Sequence, residues 1–161
     1  MDNLDLMALN HLMENGRSSW SELSGVLNLS GPSTADRVKK LEEAGTIKSY
    51  AAVVNPDAVG CSLLAFVAVV LEHPKHRAAF VEFVHNADAV QECHHITGEY
   101  DYLLKIRCQN TAELEHLISN DLKDSGGVAK TQTIIALSSV KETLKLPLNN
   151  LSVKVSRGDK V

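Results

Sequence analysis

The 161-residue sequence predicts an α+β chain in two parts, three short helices followed by a β-α-β-β-α-β domain. Two observations predict it. Through roughly the first 45 residues apolar side chains recur at spacings of three and four, the period of an amphipathic helix. From about residue 62 the pattern changes to strand-length apolar runs that alternate with helical ones.

The first helix is read over residues 4–13. Asp5 falls in its first turn, where a carboxylate suits the positive end of the helix dipole, and Ala8, Leu9 and Leu12 share one face. Asn15 and Gly16 end it. Ser19-Trp20-Ser21-Glu22 fits a capping box, in which hydroxyl and carboxylate each satisfy a free backbone donor of the other residue. A second helix starts there, with Leu23, Val26 and Leu27 turned inward. After a polar turn at residues 28–31, Pro32 sits in the first turn of a third helix, where its missing N–H costs no hydrogen bond. That helix runs to about Ala44. Ala35, Val38 and Leu41 face inward, and Ser33, Arg37 and Lys40 line the opposite side, flanked by Thr34, Asp36 and Lys39. Gly45 stops the helix, and residues 46–54 read as a short β ribbon. Three helices with a turn of this kind outline a helix-turn-helix, whose last helix enters a major groove. A plain three-helix cap with a solvated charged face has the same pattern.

Asn55-Pro56-Asp57 and Gly60 make a turn-rich connection, and residues 62–71 form a nearly unbroken apolar strand. Pro74 opens a helix buried through Ala79, Phe80, Phe83 and Val84 and ending near Ala87. Strands follow at 90–97 and 102–108, separated by the turn Gly98-Glu99-Tyr100-Asp101. A helix at 111–122 buries Leu114, Leu117 and Ile118, and Gly126-Gly127 precedes a last strand from Val128 to about Val140. This order is the split βαβ, or ferredoxin-like, arrangement: a four-stranded antiparallel sheet with two helices on one face. Phe66, Ala68 and Val70 lie on one side of the first strand and Val67, Val69 and Leu71 on the other. Both sides are apolar, so the face without helices is expected to meet a second copy, making a homodimer.

The predicted organisation is therefore a helix-turn-helix domain at 1–50, a hinge strand and linker at 51–61, an oligomerising domain at 62–148 and a tail at 149–161. Residues 1–50 hold five Lys/Arg against seven Asp/Glu, residues 51–148 eight against twelve, and the tail three against one. A polyanion would be repelled by the whole chain, so DNA binding needs the concentrated stripe on the third helix. No apolar run reaches the roughly 18 residues of a membrane span, and Asp2 and Asp5 oppose a signal-peptide start, which points to the cytoplasm and no membrane. Cys61, Cys93 and Cys108 are odd in number and set among apolar neighbours, which suits packed thiols better than a disulfide framework.

Several segments together resemble the leucine-responsive and asparagine-responsive regulators, the Lrp/AsnC or feast/famine family. They are Leu4-Asp5 with Ala8-Leu9 and Leu12, Leu23-Ser24, Leu29-Ser30, Arg37-Val38-Lys39-Lys40-Leu41-Glu42 through Gly45, Ile47, Tyr50, and Asn55-Pro56. Above all there is Gln91-Glu92-Cys93-His94 followed by Gly98-Glu99-Tyr100-Asp101-Tyr102-Leu103-Leu104-Lys105. The resemblance covers roughly residues 2–146 and leaves the tail outside. It implies a winged helix-turn-helix, a hinge strand, and a domain that dimerises and assembles into an octamer or similar ring. It further implies a sequence-specific transcriptional regulator of double-stranded DNA, without catalytic residues, metal or cofactor, whose assembly and DNA affinity respond to a small effector, usually an amino acid. Carried onto this chain, Gly98, Glu99, Tyr100 and Asp101 form the effector loop, with Thr131 and Thr133 lining the pocket.

The chemistry of these residues agrees. A glycine lets the backbone approach a ligand and offer its N–H to a carboxylate, and Glu99 or Asp101 can accept from an ammonium group. From spacing alone the same four residues also fit an ordinary tight turn. On the third helix Arg37, Lys39 and Lys40 suit phosphate and base contacts, and Ser33 and Thr34 are placed to reach base edges. Asp36 stands where the resembled family often has a basic or uncharged residue, and a carboxylate there can accept from a cytosine amino group.

Cys93-His94-His95 and His73-Pro74-Lys75-His76 raise an enzyme alternative, but adjacent strand histidines point to opposite faces and no CxxC or HExxH set is complete. Siroheme-type haem-pathway decarboxylases share the resembled family's two domains and stand as the second reading. A third is a sensor that has lost DNA binding, which the acidic balance of residues 1–50 permits and the cations of the third helix oppose. Trp20 and the basic tail receive no role.

Overall fold

In the computed structural model, which describes residues 1–123 and 127–148, Asp2 starts the first helix, α1 (Asn3–Glu14). Its carboxylate accepts from the Asp5 backbone N–H at 2.9 Å, and the Asp5 carboxylate accepts from the Asp2 N–H at 2.6 Å. This is a capping box built from two aspartates. Helix α2 (Trp20–Leu27) begins at the Ser19–Glu22 box that its sequence predicts. Asn28 ends it in the left-handed region (φ 51°), which turns the chain into α3 (Gly31–Glu43) behind its Ser30 cap.

These helices close around Ala8, Leu23, Leu27, Val38 and Leu41, with Leu9, Leu12, Leu29 and Ile47 against them. Two expectations change. Val26 is 40% exposed rather than inward, because a two-turn helix fills its inner stripe with Leu23 and Leu27 alone. No strand forms among residues 46–54, since no other described segment pairs with their backbone; Tyr50, Val53 and Val54 are left exposed. A late segment joins this unit: the Lys145 ammonium donates to the Glu14 carboxylate, and the Leu146 N–H points at the Met13 sulfur at 3.4 Å.

Val54–Val140 forms the other unit, and residues 141–148 group with Met1–Val53. Its elements are β1 (Leu63–Leu71), α4 (Arg77–Asn86), β2 (Val90–His95), β3 (Tyr102–Cys108), α5 (Thr111–His116) and β4 (Val128–Ile135). The sheet order is β2-β3-β1-β4 with every neighbour antiparallel, the ferredoxin-like topology. Ala65, Val67, Val69, Leu104 and Ile106 are buried with Phe80, Leu114, Leu117 and Leu122 in one core, where the Phe80 and Tyr102 rings lie 4.6 Å apart. Helix α5 continues as a π-helical turn over Leu117–Leu122, and the wider turn buries both end leucines, five positions apart.

The last strand stops at Ile135, short of the expected Val140; Ala136 makes the final bond to Leu64, and Leu137 and Val140 are exposed. Gly127 (φ +84°) precedes it because a Cβ there would fall 2.1 Å from the His76 ring. Gly126 and the tail at 149–161 lie outside the described residues. Residues paired across a ladder project to the same face, so Phe66, Leu103 and Ile134 share the face opposite the core, and Ile134 is 54% exposed. Among the described residues no helix is long and apolar enough to cross a membrane.

Candidate functional site

On α3 the Ser30 cap and Pro32 fix the first turn, and Thr34, Val38 and Leu41 anchor the inner face. Thr34 is fully buried, and the Ser24 hydroxyl donates to its Oγ1 at 3.1 Å. The expectation that Thr34 reaches base edges is therefore corrected: its hydroxyl ties α3 to α2. Ala35 is only half-buried. Ser33, Asp36, Lys39 and Lys40 are exposed.

Each cation of the helix has an acidic neighbour. The Lys40 ammonium lies 2.7 Å from the Asp36 carboxylate, and Lys39 lies 3.6 Å from Glu43, one turn apart in both cases. The Lys40 hydrogen bond holds the Asp36 carboxyl below its usual range. Arg37 turns away from this face: its Nη1 donates to Asp5 at 2.5 Å and to Asp2 at 2.7 Å, and these bonds raise its pKa. A shallow groove of about 520 Å³ runs between the start of α1 and α3, lined by Asp5, Ser33, Asp36, Arg37 and Lys40 among others.

In the second unit Gly98 has φ +123°, and a Cβ there would meet only open space. Glu99 pairs with Lys130 of β4 at 2.9 Å, which lowers its pKa. The Tyr100 hydroxyl donates to Gln132 Oε1 at 2.6 Å, and the Lys130 ammonium lies 5.0 Å from the Tyr100 ring centre. Asp101 faces elsewhere: its carboxylate accepts from the Leu71 N–H at 2.8 Å, and its own N–H donates to the Val69 carbonyl at 2.9 Å. Thr131 and Thr133 pair with Val69 and Val67 and so share the core side of the sheet, away from Lys130 and Gln132. The structure thus joins the turn to Lys130 and Gln132, which the sequence reading misses, rather than to the two threonines. Strand alternation was the available signal, since Lys130 and Gln132 fall on the parity of Ile134. Among the described residues no group of three His, Cys, Asp or Glu is placed to hold a metal ion.

Comparison with known proteins decides what these two surfaces belong to. The winged helix-turn-helix DNA-binding profile matches residues 1–48, and the profile of the Lrp/AsnC ligand binding domain matches residues 64–146. The chain belongs to the Lrp/AsnC family. Among its Lrp/AsnC relatives, the leucine-responsive regulatory protein of Haemophilus influenzae is 36% identical over 146 residues, covering 89% of this chain and 87% of that protein. A transcriptional regulator from Neisseria meningitidis, solved as a complex with L-Met, superposes with a TM-score of 0.88 at 35% identity, covering 92% of this chain and 97% of the other. AsnC of Escherichia coli follows at 0.81 and 27%, covering 88% and 95%. As an Lrp/AsnC protein the chain is a DNA-binding transcriptional regulator with a separate ligand-binding domain, and the decarboxylase alternative finds no support among these relatives.

Proposed function

We propose that this regulator reads double-stranded DNA through the exposed side of α3, as a homodimer that assembles further, and that an amino acid bound at the 98–101 turn changes its DNA affinity. The observation that carries this reading is the pairing of Glu99 and Tyr100 with Lys130 and Gln132 in a domain matched by a ligand-binding profile. Glu99 and Lys130 are both exposed, so water screens their attraction and a ligand can take either place. An amino acid supplies both replacements, a carboxylate for Lys130 and an ammonium for Glu99. Asp101 then shapes the turn by holding it to β1.

The apolar side chains on the open sheet face, Phe66, Leu103 and Ile134, support pairing with a second copy. One short helix reads few base pairs, and a dimer places two of them on half-sites about one helical turn apart. Selection of fragments from random DNA by the full chain, followed by binding titrations with and without each common amino acid, tests the reading. The expected outcome is an enriched site with paired halves and at least one amino acid that shifts its affinity roughly 5- to 150-fold. A monomer that enriches no sequence, or an affinity that no amino acid moves, would overturn it.

A further inference from the structure

Arg37 lies in the middle of the helix that faces DNA and is the cation that motif reasoning would first assign to phosphate. Its surroundings oppose that role. The carboxylates that receive its guanidinium, Asp2 and Asp5, are the two that form the α1 capping box, so one cluster caps α1 and ties it to α3. The Arg37 side chain is 24% exposed and Asp5 13%, with Asp2, at 56%, the solvent-facing partner; Lys40 is 72% exposed. Turning Arg37 toward a phosphate would strip two carboxylates of their shared cation and leave them near a polyanion, where the Met1 ammonium, 3.9 Å from Asp5, is the other positive group at the cluster. The Asp36–Lys40 and Lys39–Glu43 pairs, by contrast, are single, exposed and exchangeable.

We infer that Arg37 is a positioning residue rather than a DNA contact: through Asp2 and Asp5 it sets the angle of α3, leaving Ser33, Asp36, Lys39 and Lys40 to meet the duplex. This rests on the reading that the chain binds DNA through α3. Its signature is the salt dependence of binding, because each phosphate neutralised by a cation contributes about 0.9 to the slope of log affinity against log salt. A residue that only orients the helix changes affinity and leaves the slope alone.

The test measures operator affinity across a salt series for the full-length protein, using a site enriched by the wild type. Replacing Lys40 with Ala is expected to lower the slope by about 0.9. Arg37→Ala is expected to weaken binding about tenfold or more at every salt concentration with the slope unchanged, as a lost helix orientation would. Arg37→Lys should also weaken binding, since its ammonium sits one bond short of the Nη1 that reaches both carboxylates and its charge is less fixed in place, whereas a phosphate contact would tolerate it. The double variant Asp2→Asn, Asp5→Asn keeps both caps and weakens the clamp, so it is expected to lose affinity despite shedding two negative charges. It also serves if Arg37→Ala does not fold. A slope reduced by about 0.9 in Arg37→Ala, wild-type affinity in Arg37→Lys, or tighter binding by the double variant would overturn the inference. If the wild type enriches no DNA, the underlying reading itself is refuted, and the wild-type measurement alone shows it.

Discussion

The two units are held together by different means. Among the described residues the DNA-binding unit closes on five buried apolar side chains and the ligand-binding unit on eleven. The smaller one makes up the difference with polar ties: the Asp2–Asp5 and Ser19–Glu22 caps, the Ser24–Thr34 bond and the Arg37 clamp. The larger relies on a sheet whose buried face is apolar from β1 to β3. The lesson is that polar substitutions should damage the first unit and apolar truncations the second.

The largest effect that could break this contrast is in β3, where Leu103 and Leu104 are adjacent and point to opposite faces. Leu104→Ala is expected to cost about 2–5 kcal/mol, read by denaturant unfolding, and the loss should not depend on protein concentration. Leu103→Ala should cost much less in dilute solution, with a deficit that grows where subunits associate; equal costs would place the core on both faces. Next in size is the effector site. Lys130→Met should weaken amino-acid binding about tenfold in calorimetry, while Thr131→Val, across the sheet, should change it less than about twofold. The reverse ranking would restore the threonines to the pocket. The smallest expected change sharpens the contrast from the other side. Thr34→Val keeps the volume and removes one buried hydroxyl, and should lower the stability of the first unit by about 1 kcal/mol in thermal unfolding. A variant as stable as the wild type would show that the Ser24–Thr34 bond contributes nothing.

Apart from the ribbon expected at 46–54, the order of helices and strands was legible, because caps such as Ser19–Glu22 and the change of period near residue 62 are local signals. What escaped depends on partners distant in sequence. Arg37 reads as an outward cation until Asp2 and Asp5 meet it from 35 and 32 residues away. The error on α3, Ala35 for Thr34, rotates the inner stripe by about 100° and keeps Val38 and Leu41 in place. On β4 a shift of one residue has a larger consequence, because a strand has only two faces: Thr131 and Thr133 lie on the core side and Lys130 and Gln132 on the other. The expected ribbon at 46–54 failed for another reason: its composition suits a strand, but a strand exists only when another backbone pairs with it.

The bond from Lys145 to Glu14 makes the DNA-binding unit discontinuous along the chain, with residues 54–140 inserted between its parts. On the ribosome the three helices emerge first, yet the stretch that straps α1 follows only after the entire insert has been translated. At about 5–20 residues per second that is a delay on the order of ten seconds. The three helices can therefore pack on one another well before the exposed Lys145–Glu14 pair forms, which makes that strap the last tie the DNA-binding unit acquires.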